Sequence, residues 1–170
     1  MQTIHTDQKL RSALYSMYVA QFEAIKAHPA GFDKNHATRM LTALMGSRPW
    51  SWRVIGITSA ALQLFADHNF DRPARQVQRG HRIARSDTAR ELFIAVDEPM
   101  PREQFFEFFL ERDKTVLMTV AQNRSRPGGV FPKFIKIPMG KELFPCGSLI
   151  GWEHRDQEKK FLRDLYTRQP

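Results

Sequence analysis

The stretch best equipped for chemistry is a histidine set among arginines. From Arg72 to Phe93 the chain reads RPARQVQRGHRIARSDTARELF, with arginines at 72, 75, 79, 82, 85 and 90 and one acid, Asp87, before Glu91. Guanidinium groups carry forked donors that match phosphate oxygens, and Gly80 lets a ligand approach the backbone closely. Thr88 and Glu91 form a capping-box pattern, so a helix is expected to open close to Ser86–Thr88. A helix's first turn offers unpaired N–H groups and about half a positive charge. Arg79, His81, Arg82 and Arg85 at such a mouth would make a phosphate pocket. His81 and Arg85 are the catalytic candidates. His81 would act as general base or acid, kept neutral by neighbouring cations, and the arginines would stabilise charge on a phosphate. Arg72, Arg75, Arg79 and Arg82 make up the rest of the anion-binding set. The plainer alternative is six solvated arginines, some paired with acids of the 97–113 region.

A second basic run lies between Ala121 and Lys141. It holds Arg124, Arg126, Lys133, Lys136 and Lys141 with no Asp or Glu, and Phe131 and Phe134 interleave with the cations. A basic hairpin with aromatics and a Pro127-Gly128-Gly129 tip has the composition of a segment that grips a nucleic-acid backbone or enters a groove. Arg124, Arg126, Lys133 and Lys136 are the binding candidates here. If both runs share a surface, binding should fall steeply with salt. The competing reading is two unrelated basic surfaces. Trp50 and Trp52, close to Arg48 and Arg53, offer either base stacking or a loop anchor.

Other chemistries fit poorly. Cys146 is the one cysteine, so a thiolate zinc cluster cannot form within one chain. The acids at 97, 98, 103, 107, 111 and 113 do not give restriction-nuclease spacing. Glu111 and Lys114 are three apart, and the adjacent Asp113 and Lys114 would point to opposite faces of a strand. Pairing His81 with Asn123 as a nuclease finger lacks a second histidine. His154, near Glu153 and Asp156, is a weak second candidate. No P-loop, dinucleotide glycine fingerprint, HExxH or nucleophile elbow occurs. No metal site is expected, and no cofactor is indicated.

Composition sets the frame for these residues. At 170 residues one domain, 1–170, is the default, and 42% hydrophobic content with 13 Phe argues against disorder. A net charge of +8 and a pI near 10.0 favour a polyanionic partner. A single cysteine fits a reducing, cytoplasmic setting. MQTIHTDQKL has neither a basic nor an apolar leader region, so no secretory signal is expected. No apolar run approaches membrane-spanning length, so no membrane partner is expected.

The positioning elements follow from periodicity. Helices are expected over 6–28, from Asp33 or Asn35 to Gly46, over Ser59–Asp67 behind a Thr58 cap, from Ser86–Thr88 to Pro99, over Arg102–Arg112, and from Arg155 or Asp156 onward. Asn69 would stop the third. Phe105, Phe106, Phe108 and Phe109 give Arg102–Arg112 a wide apolar arc, marking it as the core pillar. Strands are expected over 52–57, 115–122 and 130–137, the last two pairing as a wide hairpin with Pro132 implying an edge. The whole reads as α+β, a single domain with several helices on a small mixed or antiparallel sheet. DNA or RNA binding is the leading function, with phosphodiester cleavage attached to it. An adaptor for an acidic protein and an enzyme for a small anionic substrate are the alternatives.

Overall fold

The computed structural model describes residues 4, 6–46, 53–128, 130–138, 143–144 and 154–169. In chain order the elements are α1 (Gln8–Ala27), α2 (Lys34–Leu41), β1 (Val54–Ile57), α3 (Ser59–Asp67), β2 (Val77–His81), α4 (Arg85–Phe93), α5 (Arg102–Arg112), β3 (Thr115–Thr119), α6 (Val120–Ser125), β4 (Ile135–Lys136) and α7 (Asp156–Thr167). The fold is α+β, as expected, with a mixed sheet. The chain forms two compact units, each built from two stretches. Unit 1 is Met1–Ser51 with Ile83–Asp113, and unit 2 is Trp52–Arg82 with Lys114–Pro170.

Unit 1 holds α1, α2, α4 and α5. Asp7 caps α1 by accepting from the Leu10 amide at 3.0 Å, and Asp33 caps α2 by accepting from the Asn35 and His36 amides. A π turn at Thr42–Gly46 extends α2 to the expected stop. The phenylalanine pillar is borne out, since Phe105, Phe106 and Phe109 are all fully buried. Burial of each contributes about 1.5–3 kcal/mol. Tyr18 stacks on Phe105 with ring centroids 4.3 Å apart. Its hydroxyl donates to the Leu92 carbonyl and accepts from the Met100 amide. Burial raises the Tyr18 pKa. The start of α4 falls within a residue of the expected one, but the expected Thr88–Glu91 cap is corrected. The helix opens at Arg85, and Thr88 is buried inside it, its hydroxyl turned back to the Ala84 carbonyl. Glu91 pairs with Arg112 at 2.7 Å, so it takes part in no capping box. The helix ends at Phe93, short of Pro99.

Unit 2 holds a four-stranded sheet in the order β2-β3-β1-β4. β1 and β3 run parallel, while β2 pairs antiparallel with β3 and β4 antiparallel with β1. Three expectations are corrected here. Sequence periodicity missed β2, which lies inside the arginine stretch and pairs from Val77↔Thr119 to His81↔Thr115. The strand from Thr115 stops at Thr119, because Thr119 and Gln122 cap each other reciprocally and start α6. No hairpin joins 115–122 to 130–137. Only Ile135–Lys136 is extended into a ladder, and it pairs with β1 at the sheet edge, with Pro132 outside the paired residues.

The Thr58 cap on α3 is as expected, accepting from the Ala61 amide at 3.2 Å. Asn69 follows the helix with a left-handed φ of 52°. Leu62 and Phe65 of α3 and Leu162 of α7 pack with Val77 and Leu117 on one face of the sheet. The other face carries α6 over Gly80 and Phe134 over Gly56. A Cβ at Gly80 would sit 2.7 Å from Asn123 Oδ1, and one at Gly56 would collide with the Phe134 ring. Among the described residues no helix is long and apolar enough to cross a membrane.

Candidate nucleic-acid interface

The cations are divided unequally between the units. Unit 2 has 16 Lys and Arg against 7 Asp and Glu, a net charge of +9, whereas unit 1 has 10 against 11, a net charge of −1. The whole basic excess therefore belongs to the unit that carries the sheet. Within it, no acid occurs from Arg72 to Arg82 or from Lys114 to Lys141.

The structure sorts the sequence-derived candidates by burial. Arg72, Arg75, Arg82, Arg124, Lys133 and Lys136 are exposed, and Arg75 has a left-handed φ of 62°. Arg79 is not, with 9% of its surface accessible. It donates to the Phe144 carbonyl at 2.6 Å, while the fully buried Glu158 accepts from the Phe144 amide at 2.9 Å. The two side chains hold the backbone of one residue, Arg79 at its carbonyl and Glu158 at its amide. Arg79 was missed as a core residue because its acceptor lies 65 residues away. Burial works to raise the Glu158 pKa, but hydrogen bonds from Arg155, Phe144 and Gln157 outweigh it and hold the carboxyl below its ordinary value.

Arg126 is a strap. Its Nε donates to Asn123 Oδ1 at 3.0 Å, and its terminal nitrogens donate to the carbonyls of Val130 and His81. Burial lowers its pKa. His81 ends β2 opposite Thr115 and is half-buried. Arg85 belongs to unit 1, apart in the division from Arg79, His81 and Arg82. Its side chain is 9% exposed, pairs with the buried Asp113, and has its guanidinium carbon 5.7 Å from the Phe109 ring centre. That is a core contact. His154 stacks on Phe65 at 5.4 Å and meets the Phe70 carbonyl through Nε2 at 2.6 Å, which is packing as well. Arg48, Trp50, Trp52, Lys141, Cys146, Trp152 and Glu153 lie outside the described residues.

The carboxyl ends of β1 and β3 are a second place to look for an anion seat. Neighbouring parallel strands whose helices leave on opposite faces make the crevice where open α/β sheets bind ligands. Here Gln122 fills it. Its Oε1 accepts from Thr58 Oγ1 at 2.8 Å and from the Thr119 amide at 3.2 Å, and its own amide donates to Thr119 Oγ1. Both helix caps are thus committed to protein partners. Among the described residues no three His, Cys, Asp or Glu side chains gather to hold a metal ion.

The loop from Arg126 to Lys136 has a different character. Phe131 and Phe134 meet edge to face with centroids 5.8 Å apart, and the Arg126 guanidinium carbon lies 5.7 Å from the Phe131 ring centre. Both rings are half-buried, while Lys133 and Lys136 beside them are exposed. Composition had flagged these residues, but the bare backbone of Gly56 that seats Phe134 left no local signal. Among known protein families, curated proteins and solved structures, nothing matches this chain.

Proposed function

We propose that the chain binds nucleic acid through unit 2, with phosphates taken by Arg72, Arg75, Arg82, Arg124, Lys133 and Lys136. The observation that carries this reading is the partition of charge, +9 on one unit and −1 on the other, with two acid-free stretches in the basic one. A charge of general solubility has no reason to concentrate in this way, whereas a polyanion is attracted by it and releases counterions on binding. Arg79, Arg85 and Arg126 are excluded from the phosphate-binding set, because burial and internal hydrogen bonds already use them. A cytoplasmic setting, where nucleic acid is at hand and a lone cysteine stays reduced, belongs to the same proposal.

The test is a gel shift with DNA and RNA across about 50 to 200 mM salt, where binding through six to ten phosphates loses roughly 10³–10⁵ in affinity. No shift at the lowest salt would sink the reading and favour an acidic protein or a small anion as partner. Cleavage would add a general base to this surface, and half-buried His81 is the residue to try. His81→Ala should then abolish hydrolysis and spare binding. Unchanged hydrolysis removes His81 from that role.

A further inference from the structure

We infer that the nucleic acid bound is single-stranded, with an unpaired base stacked on Phe131 and its flanking phosphates held by Lys133, Lys136 and Arg124. This rests on the nucleic-acid reading and narrows it. The argument begins with the way the loop is fixed. Arg126 holds the Val130 carbonyl, the Asn123 side chain and the end of β2 together, so the backbone on both sides of the loop tip is tied to the sheet. Phe134 is seated over Gly56, where any side chain would collide with it. Phe131 leans edge to face on Phe134 and has the Arg126 guanidinium over it. The ring is therefore held in place yet only half-buried, with Val130 beside it 58% exposed.

A monomeric core has little use for a tethered, only half-buried phenyl ring among cations. A duplex has little use for it either, because its bases are stacked on each other and offer only edges and backbone. An unpaired base offers its π face, and stacking on an aromatic side chain tolerates any base. The charge on the same segment completes the fit. Lys133 lies between the two phenylalanines in sequence and Lys136 two residues beyond the second, both exposed. Arg124 is exposed on α6, two residues before the strap. No carboxylate from Lys114 to Lys141 competes for them. An alternation of aromatics and cations along one segment is the pattern of a groove that tracks a single strand.

The experiment uses the full chain with fluorescent oligothymidylate and oligouridylate of about 16 nucleotides and a duplex of the same length, read by polarisation. The intact chain is expected to prefer the single strands. Phe131→Ala should weaken single-strand binding about tenfold and leave duplex binding and heparin retention unchanged. Phe131→Leu keeps most of the apolar volume but has no π face, and should behave like the alanine variant. Phe131→Trp should restore or improve affinity. Lys133→Ala with Lys136→Ala should weaken both classes of ligand and flatten the salt dependence. Equal loss of single-strand and duplex binding in Phe131→Leu, or no loss in either, overturns the stacking site while leaving polyanion binding intact. Failure of the intact chain to bind any oligonucleotide at low salt removes the nucleic-acid reading itself, and this one with it.

Discussion

The two units treat their charges in opposite ways. In unit 1 cations are matched to acids within the unit: Arg11 with Glu103, Lys34 with Asp87, Arg85 with Asp113 and Arg112 with Glu91. All three of those arginines also lie over phenylalanine rings of α5. In unit 2 the pairs Lys159–Asp71 and Arg155–Glu158 use acids that are few, and cations outnumber acids by more than two to one. Charge in unit 1 serves the fold. Charge in unit 2 exceeds what its fold can pair, and the surplus is what a polyanion would meet. Residue type alone does not separate the two roles, since Arg79 and Arg126 of unit 2 are also structural.

The sharpest way to break this contrast is Asp113→Ala in unit 1. It strands Arg85 in the core, and breaking a buried pair from one side costs about 3–5 kcal/mol. Denaturant unfolding should show the loss, and oligonucleotide affinity of the folded fraction should not change. An equally large loss of affinity would mean that the charge division does not track function. Arg79→Ala comes next. Leaving the Phe144 carbonyl buried and unsatisfied should cost about 1–3 kcal/mol while the salt dependence of binding stays put. A flatter salt dependence would return Arg79 to the phosphate-binding set. Thr119→Ala removes the cap of α6 and should cost about 1 kcal/mol. The converse case is Lys133→Ala with Lys136→Ala, within about 0.5 kcal/mol of wild-type stability and yet weaker in binding.

The smallest effect concerns pH. The Glu158 carboxyl is held below its ordinary value, so it binds a proton more readily unfolded than folded. Its contribution is complete above that unfolded value and is lost as pH falls through the lower folded one. Glu158→Gln should flatten the acid limb of a stability–pH curve. An unchanged limb would place the acid sensitivity on other carboxylates.

What the sequence revealed depended on whether the cause was local. The Thr58 cap, the Phe105–Phe109 face and the start of α7 were legible because each is decided within a few residues. β2 was not, because Arg79 occupies an inward position that sequence reads as polar and only the distant Phe144 and Glu158 make habitable. The same motif was also read wrongly in two places. Thr88 and Glu91 looked like a cap and are not one, because Glu91 goes to Arg112. Thr119 and Gln122 are a cap, but the β-branched run before them pointed to a longer strand. The basic surface was legible as composition. Its division into buried and exposed arginines was not.

The interleaving of the two units sets an order of assembly on the ribosome. All of unit 1 has been synthesised by Asp113, whereas β1 and β2 of unit 2 then still lack β3, the strand that both of them pair with. Chains fold as synthesis proceeds, and pairing between distant segments waits for the later one. The neutral helical unit is therefore complete in sequence first. The basic sheet closes around β3 only afterwards, so the surface proposed to meet nucleic acid is among the last parts of the molecule to exist.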